Sequence, residues 1–449
     1  MRLMRLSFIL SFLFTSVFAI APPDEEEVRK AQIKDFTDQV FEISSVMLHD
    51  VINPPAASRF YAYAMLAAYQ VVEANNETPP RLSDKFKERP DFTAVPAPKS
   101  LDKVFSATYA MLELGKKILP SGYMLQQKQD AYIDAYQKKY KLSNKASAAN
   151  VSYAEAIAQQ VLAYAKTDGY GKLSTYTRYA PAQKEGSWYP TPPAYIEAIE
   201  PNWMHIRTFF MDSANQFMPP PPAPFSLDSS SSFYQQTMEV YETVNNLNEE
   251  REEIANFWDC NPFAVKFTGH MAIGLKKITP GGHWMGITGI ACENADISFD
   301  KAVLTHALVA LTLHDAFISC WHEKYRSDRI RPETVINRYI DQRWKPVLQT
   351  PPFPEYTSGH SVASSAAAVI LTGLLGDNFS FDDDSEVYFG LPVRSFTSFY
   401  QAAEEAAISR LYGGIHFRDA IEDGVVEGRA IGHFVLSKLS LFPEDISGR

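Results

Sequence analysis

The stretch PFPEYTSGHSVASSAAA, residues 352–368, places Ser-Gly-His immediately before a run of small and apolar residues. Helices favour Ser or Thr at the N-cap, so Thr357 or Ser358 is expected to begin a helix here. The free N–H groups at a helix start also bind anions. The stretch therefore predicts a helix whose first turn is either simply capped or forms half of an oxyanion pocket.

Apolar residues recur at spacings of three and four along most of the chain. The segments LDKVFSATYAMLELGKKIL (101–119) and YAEAIAQQVLAYAKTDG (153–169) both show this helical period, whereas period-two alternation is scarce. We therefore expect an all-α protein built from two units that each resemble a four-helix bundle. The C-terminal unit is expected to carry the active site.

The segment FMPPPPAPFSLDSSSS, which ends at Ser232, divides the helical patterns into two sets. A Pro run followed by a Ser run is compatible with neither a helix nor a central strand. It predicts a linker at 218–232 between an N-terminal helical region at 22–217 and a C-terminal bundle at 233–449.

The N-terminus has the pattern of a cleaved secretory signal. Arg2 and Arg5 precede the apolar stretch LSFILSFLFTSVFAIA, which ends in small residues. A signal peptide at 1–21 predicts a secreted or periplasmic protein. The other long apolar stretch, 307–321, is interrupted by His314 and Asp315, so we expect no stable membrane anchor.

Composition excludes some functions. A formal net charge of −11 argues against nucleic acid as a partner, because phosphate binding needs a basic face. The apolar fraction of 46% is sufficient for a large buried core. Cys260, Cys292 and Cys320 allow one disulfide by number but show no CxxC pairing, so we expect buried free thiols rather than a thiolate zinc site. The oligomeric state is not indicated.

Three separated segments concentrate cationic residues, His and Gly. They are CWHEKYRSDRIRPET (320–334), TSGHS (357–361) and ISRLYGGIHFRD (408–419). Guanidinium, ammonium, hydroxyl and backbone N–H groups together supply donors from every direction to a tetrahedral oxyanion. One His could bond to the central atom and another could move protons. The candidate residues are Lys324, Arg331, Ser358, Gly359, His360, Arg410 and His416.

Arg410 and His416 would point to different sides of one unbroken helix, because they are six residues apart. The pair Gly413-Gly414 between them offers a break in the helix. Arg410 could then end one helix and His416 begin the next, so that both face one point.

Each candidate residue taken alone has an ordinary structural explanation. Lys324 could be a solvated charge, Ser358 a helix cap and His416 a hydrogen-bonded core residue. The order Lys…Arg-Pro, Ser-Gly-His, Ser-Arg…His is a composite pattern, however, and the three segments together resemble the vanadium-dependent haloperoxidases. That family shares its fold and anion pocket with the type 2 phosphatidic acid phosphatases. The resemblance covers residues 255–435, and PPAASRFYAYAMLAAY (54–69) extends it towards the N-terminus.

The resemblance implies a vanadate cofactor, with hydrogen peroxide and halide as substrates. His416 would bond vanadium through a ring nitrogen, His360 would be the acid–base residue, and Lys324 would polarise the peroxide. The products would be hypohalous acid and a halogenated small organic acceptor, with iodide or bromide as the favoured halide. The implied vanadate-binding residues are Lys324, Arg331, Ser358, Gly359, Arg410 and His416.

Four further assignments follow from the same resemblance. Trp321 and Phe353 would wall the halide side of the pocket, and Asp259 would hold His360. The family's Asp, four residues after the ligand His, is replaced by Ala420, so Asp419 is the remaining candidate to orient His416.

The sequence also departs from the superfamily at Thr357, where a Pro usually precedes Ser-Gly-His. The segment TPGGHWMGITG (279–289) could form a loop over the pocket, and His322 is of interest because it adjoins Trp321. The other histidines are interpreted as structural.

Two alternative functions remain compatible with the same donors. In a secreted acid phosphatase, His416 would attack phosphorus and His360 would protonate the leaving oxygen. An oxyanion-binding protein without turnover would need no acid–base residue, so His360 argues against it.

Overall fold

The computed structural model describes residues 25–75, 81–268, 270–274 and 277–440, and the predicted signal peptide at 1–21 lies outside these ranges. The all-α prediction is confirmed. The described helices are α1 Glu25–His49, α2 Pro54–Ala74, α3 Lys103–Ile118, α4 Leu125–Tyr140, α5 Asn144–Ala165, α6 Ser232–Asn245, α7 Glu249–Phe257, α8 Pro280–Asn294, α9 Phe299–Ser327, α10 Pro332–Tyr339, α11 Gly359–Leu375, α12 Phe399–Tyr412 and α13 Arg418–Lys438.

Two small antiparallel hairpins interrupt the helices. Strands β1 (Val265–Thr268) and β2 (Met271–Gly274) form the first, with Val265 opposite Gly274. Strands β3 (Phe381–Asp383) and β4 (Arg394–Phe396) form the second, with Phe381 opposite Phe396.

The core is continuous across the two helical sets. In the N-terminal set, α2 packs against α3 and α9, and α3 packs against α5; in the C-terminal set, α11 packs against α13, α12 and α9. Buried side chains of all these helices belong to one apolar cluster. Helix α9 therefore joins both sets and carries its last turns to the place where the C-terminal helices meet.

Helix α9 is also the one described helix long and apolar enough to cross a membrane by length and composition. Its most apolar stretch is 94% buried inside the structure. The helix begins at Ser298, whose Oγ accepts a hydrogen bond from the backbone N–H of Lys301 at 3.2 Å.

The Pro/Ser-rich segment 218–232 forms neither helix nor strand up to Ser231, which caps α6, and it contacts the C-terminal part of the chain. The Tyr356 hydroxyl donates a hydrogen bond to the Pro220 carbonyl oxygen at 2.6 Å. The Ala223 N–H donates to Asp419 Oδ2 at 3.1 Å. The division of the chain into domains at this segment stays a prediction.

Helices α11 and α13 approach closely along a row of glycines on α13. A Cβ added at Gly428 would lie 2.2 Å from the Val362 carbonyl oxygen, and one at Gly424 would lie 2.9 Å from Ser361 Cβ. A methyl group does not fit at either distance. The glycines therefore let α13 press against the first turns of α11, which begin directly after Ser358.

The prediction of a loop at 279–289 is wrong, because this segment forms the start of α8. Thr279 Oγ1 caps the helix by accepting from the Gly282 N–H at 3.1 Å, and Pro280 occupies the first helical position. One glycine of the segment allows close helix packing: a Cβ at Gly289 would lie 2.2 Å from Thr37 Cγ2 on α1.

Candidate active site

The three segments predicted to form an anion pocket meet at one end of the C-terminal helices. The end of α9 carries Lys324, and Arg331 directly precedes α10. Ser358 precedes α11, Arg410 lies in the last turn of α12, and His416 lies in the turn before α13. All five side chains are buried, with 3% exposure or less.

His416 is held between a carboxylate and a guanidinium. Its Nδ1 lies 2.8 Å from Glu355 Oε1, and its Nε2 lies 3.2 Å from Arg331 Nη1. Glu355 also accepts hydrogen bonds from the Phe417 N–H at 2.9 Å and from Arg329 Nη1 at 3.2 Å. Because a guanidinium only donates, Nε2 is the unprotonated nitrogen and Nδ1 carries the proton. The lone pair of Nε2 therefore points towards Arg331.

Burial lowers the pKa of His416 well below its usual range, and the positive charges of Arg331 and Lys324 lower it further. The ring is therefore neutral at ordinary pH. Glu355 is buried completely, and burial raises the pKa of its carboxyl group, although Arg329 and Arg331 oppose this effect.

Arg331 has one nitrogen free for a ligand. Its Nε donates to the Phe353 carbonyl oxygen at 3.0 Å, and Nη1 donates to the Ile415 carbonyl oxygen at 2.9 Å as well as facing His416. Nη2 is buried and has no hydrogen-bond partner among the described residues. Burial lowers the pKa of Arg331 to about 10, so the group remains a cation.

Arg410 is fixed by the segment that follows α7. Its Nη2 donates to the Trp258 carbonyl oxygen at 2.6 Å, and its Nε donates to Ser409 Oγ at 2.9 Å. The guanidinium thereby forms one wall of a cleft that it shares with Gly359, His360 and His416.

Lys324 is adjacent to the cleft but does not line it. Its ammonium group donates to the carbonyl oxygens of Pro354 at 3.2 Å and Glu355 at 3.0 Å, and also to that of Thr357. These three acceptors use all three N–H groups, so Lys324 must exchange one carbonyl to donate to an anion. Burial lowers the pKa of Lys324 to about 8.

Ser358 acts as the cap of α11, because its Oγ accepts from the Ser361 N–H at 3.3 Å. Gly359 begins the helix and lines the cleft. A Cβ at Gly359 would meet only Trp321 Cζ3, at 3.7 Å, and Cys320 Sγ, at 3.9 Å. The first turn of α11 therefore combines a capped start with a free N-terminal face directed at the cleft.

His360 lines the same cleft and is half-buried. In the described part of the chain its buried Nε2 has no hydrogen-bond partner. Burial lowers the pKa of His360 well below its usual range, and Arg410 and His416 add to this effect. His360 is therefore a neutral imidazole with a nitrogen available to a ligand.

Trp321 and Phe353 form an aromatic wall on one side of the cleft. Their ring centroids lie 4.9 Å apart, and both residues line the cleft. The Lys324 ammonium lies 5.1 Å from the Phe353 ring centroid, and the Arg331 guanidinium also lies 5.1 Å from it. The wall is thus apolar on its surface and backed by two cations.

The structure does not bring the two predicted carboxylates to the histidines. Asp259 lines the cleft, but its Oδ2 accepts from Lys277 Nζ at 2.6 Å and no hydrogen bond to His360 is found within the described residues. Asp419 pairs with Arg329 and the Ala223 N–H instead of His416. His322 does not line the cleft.

Glu355 takes the place that was expected for Asp419. One position short of the expected spacing, Asp419 lies in the first turn of α13 and points to Arg329. A signal for Glu355 was present in the sequence, because it is the only charged residue in the apolar and small-residue stretch 350–359.

The donor set fits a tetrahedral oxyanion such as vanadate. Arg331 Nη2 and His360 Nε2 are buried polar atoms that lack hydrogen-bond partners within the described ranges. Two guanidiniums and a helix N-terminus supply positive charge, and His416 Nε2 supplies a lone pair that can bond a metal. Together these groups form an oxyanion site inside a helical bundle.

Comparison with known proteins identifies the family. A crystal structure of a bacterial vanadium-dependent iodoperoxidase is 44% identical, covers 90% of this chain and 96% of its own, and superposes with a TM-score of 0.84. The chain therefore belongs to the vanadium-dependent haloperoxidase family.

More distant structures show the same fold. The holo and apo forms of a bacterial vanadium-dependent chloroperoxidase are each 16% identical, with a TM-score of 0.65. The holo form covers 87% of this chain and 92% of its own, and the apo form 86% and 93%. The family model described as the VCPO second helical-bundle domain matches residues 304–444. No curated protein matches the sequence closely enough to count as a relative.

Proposed function

We propose that this protein is a vanadium-dependent haloperoxidase that uses hydrogen peroxide to oxidise halide, preferably iodide or bromide, to hypohalous acid. The hypohalous acid then halogenates a small organic acceptor. The observation that carries the proposal is the arrangement at His416, where Glu355 holds Nδ1 and leaves the Nε2 lone pair beside the unpartnered Nη2 of Arg331.

Residues in the cleft wall (Gly359, Arg410 and His416) and residues next to it (Arg331, Ser358 and Lys324) would hold vanadate by charge and by hydrogen bonds. Arg331 and Arg410 neutralise an anion, and the N-terminus of α11 at Ser358 and Gly359 donates from a third side. Lys324 contributes the third cation once one of its carbonyl contacts is exchanged. When bound, vanadate would supply a Lewis-acid centre that activates peroxide. The vanadium itself need not change its oxidation state.

The two histidines have different tasks. His416 Nε2 would be the ligand to vanadium, because Glu355 holds the proton on Nδ1 and leaves the lone pair on Nε2. His360 Nε2 accepts the proton released when hydrogen peroxide binds, because the ring is neutral and the nitrogen faces the cleft.

The halide is proposed to bind beside Trp321 and Phe353. A large, weakly hydrated anion such as iodide loses little when it leaves water for an aromatic surface, and the charges of Lys324 and Arg331 behind that surface favour an anion there. The 44% identity to a protein described as an iodoperoxidase also supports the preference for heavier halides.

The acid phosphatase alternative uses the same groups, since His416 Nε2 could attack phosphorus in place of bonding vanadium. The decisive experiment compares initial rates with iodide, bromide and chloride on vanadate-loaded protein, with a phosphate-ester assay on the vanadate-free protein beside it. We expect peroxidase activity that depends on orthovanadate and is competed by phosphate. Phosphate-ester turnover without any vanadate-dependent halide oxidation would overturn the proposal in favour of the phosphatase.

A further inference from the structure

Beside the cleft, three buried side chains from separate elements converge, and one of them, Cys260, also lines the cleft. Cys260 lies just after α7, His283 lies in the first turns of α8, and Glu386 follows β3. Their exposures are 3%, 0% and 4%, so all three are removed from solvent. The Cys260 Sγ, His283 Nδ1 and Glu386 oxygen lie within 4.8 Å of one another.

The spacing of these atoms suits one small metal ion. Nδ1 of His283 lies 3.4 Å from Cys260 Sγ and 3.4 Å from Glu386 Oε1. Ligands of a tetrahedral zinc ion, at bond lengths of about 2.0–2.3 Å, stand roughly 3.3–3.7 Å apart. Glu386 Oε1 is buried and takes part in no hydrogen bond in the ranges that the structure describes.

The second ring nitrogen of His283 faces a carboxylate, as is usual for a histidine that binds a metal through its other nitrogen. His283 Nε2 lies 2.8 Å from Asp383 Oδ2, and Asp383 Oδ1 accepts from the N–H and the hydroxyl of Ser385. Asp383 is therefore the acceptor and Nε2 carries a proton. This leaves Nδ1 to bind either a second proton or a metal ion.

The local charge favours a cation in this position. Asp383 faces Nε2 of His283 at 2.8 Å and Glu386 faces Nδ1 at 3.4 Å, so a carboxyl group lies on each side of the imidazole. A divalent ion at Nδ1 would take the place of two protons, one from the imidazole and one from the Cys260 thiol, so the cluster would keep the same net charge. Metal binding would require the Cys260 thiol to lose its proton, because the thiolate is the form that binds metal.

We propose that Cys260, His283 and Glu386 form a binding site for a divalent transition metal, Zn²⁺, which adjoins the vanadate cleft at Cys260 but shares no ligand with it. Three protein ligands leave a fourth position for a solvent molecule. The three proposed ligands lie far apart in the sequence, and only one of them is a cysteine. The site therefore lacks the CxxC spacing by which zinc sites are recognised in a sequence.

The metal would brace the segment that positions the active-site cation. Trp258, two residues before Cys260, stacks on His283 with ring centroids 4.5 Å apart. The Trp258 carbonyl oxygen accepts the hydrogen bond of Arg410. A metal bound at Cys260 and His283 would therefore fix the carbonyl that holds Arg410 in the cleft wall.

The test uses the full chain after removal of bound metals with a chelator, titrated with Co²⁺ and with Zn²⁺. We expect one Co²⁺ per chain with a thiolate charge-transfer band, which Zn²⁺ abolishes by displacement. The band should disappear in Cys260→Ser and persist in Cys292→Ser. Cys292 is the matched control, because its Sγ also lies near a histidine, 3.8 Å from His306 Nδ1, and its pair has no part in the proposed site.

A band that Cys260→Ser leaves unchanged, or the absence of any thiolate band, would overturn the proposal. If Cys260→Ser does not fold, X-ray absorption at the zinc edge of the wild-type protein decides the question, with one sulfur and nitrogen or oxygen neighbours expected. A shell without sulfur, or with more than one, would contradict the site. Asp383→Asn should weaken Zn²⁺ binding by about 10–100-fold, because it removes the carboxylate that orients His283.

Discussion

Glu355 Oε1 lies 2.8 Å from Nδ1 of His416, and this pairing determines that Nδ1 carries the proton and Nε2 the lone pair. The Phe417 N–H and Arg329 hold the carboxylate in place, while Arg331 donates towards Nε2 from the other side. The ring is thus oriented and in one tautomer before any anion binds. The ring itself therefore needs no reorientation when vanadate enters, whereas Arg331 Nη1 and Lys324 must each exchange a contact.

Glu355→Gln should weaken vanadate binding by about 10–100-fold, because a neutral amide no longer favours the Nδ1–H tautomer or compensates Arg329. Equilibrium dialysis with elemental analysis of vanadium measures the change. Asp419→Asn is the matched control: Asp419 also pairs with Arg329 but does not contact His416, so vanadium affinity should change little. A larger loss in Asp419→Asn than in Glu355→Gln would show that Asp419 orients the ligand.

Substitution of the two cleft histidines should separate cofactor binding from turnover. His416→Ala should lose bound vanadium. His360→Ala should keep most of it and lose about 10²–10⁴-fold in kcat, because a general base contributes about that much. Vanadium content and steady-state iodide oxidation are measured on the same samples. His322→Ala serves as the control, since His322 does not line the cleft. Full peroxidase activity in His416→Ala with added vanadate would contradict the assignment.

Much of the site could be predicted because its residues lie in short local patterns. One such pattern is the helix start at Ser358, Gly359 and His360. Another is the pair Gly413-Gly414, which separates Arg410 from His416. Both can be recognised from neighbouring residues in the sequence. Helical periodicity gave the all-α class for the same reason. The pattern of 3.6 residues per turn is local, and it does not require knowledge of the partners.

The carboxylate partners could not be predicted, because they depend on tertiary contacts. Asp259 turns to Lys277 and Asp419 turns to Arg329, and neither cation is near them in the sequence. A shift of one position on a helix rotates a side chain by about 100°, so the difference between positions 419 and 420 directs the carboxylate elsewhere. The possible loop at 279–289 is a helix, and its glycines are compatible with this because the close approach of Thr37 to Gly289 is a tertiary contact that the sequence does not show.

Trp321→Phe should change halide use without changing vanadate affinity. The indole forms part of the aromatic wall, and its one polar group, Nε1, donates to the Ile199 carbonyl oxygen at 3.1 Å and so is not offered to the oxyanion. We expect kcat/KM for iodide to fall by about 10-fold, as is typical when a pocket wall is cut back, while the vanadate Kd stays the same. Kinetics with three halides on vanadate-saturated protein measure this. A parallel loss of vanadate affinity would place Trp321 in cofactor binding.

Glu427 should make stability depend on pH. It is buried and accepts hydrogen bonds from Ser319 and Thr357 at 2.7 and 2.8 Å. Burial raises its pKa from 4.5 to about 7. Between these values the folded protein holds a proton that the unfolded chain has lost, so the free energy of unfolding falls as pH rises from 4.5 to 7. The loss from this group is about 3 kcal/mol.

Glu427→Gln should remove that component, so its stability should decline less than that of the wild type between pH 5 and pH 8. Urea unfolding at several pH values gives the comparison. Glu404→Gln, at a side chain that is 64% exposed, is the control and should follow the wild type. Parallel pH profiles for wild type and Glu427→Gln would show that Glu427 does not carry a raised pKa.

Gly428→Ala should destabilise the contact between α13 and α11. The added Cβ would lie 2.2 Å from the Val362 carbonyl oxygen, which is backbone and cannot move aside independently. Separating the two helices enough to relieve the clash should cost about 1–3 kcal/mol or more. Gly171→Ala is the control, because no heavy atom lies within 4 Å of its added Cβ. Urea unfolding measures both changes.

The same substitution should reach the active site, because Val362 lies only four residues after Ser358 in the first turns of α11. A displaced α11 would move the N–H groups at its start away from Arg331 and Arg410, so vanadate affinity should fall together with stability. Dialysis with vanadium analysis under conditions where Gly428→Ala is fully folded tests this link. An unchanged vanadate affinity in a destabilised Gly428→Ala protein would contradict this link. It would show that the Ser358 cap and the preceding loop, and not packing against α13, hold the start of α11 in place.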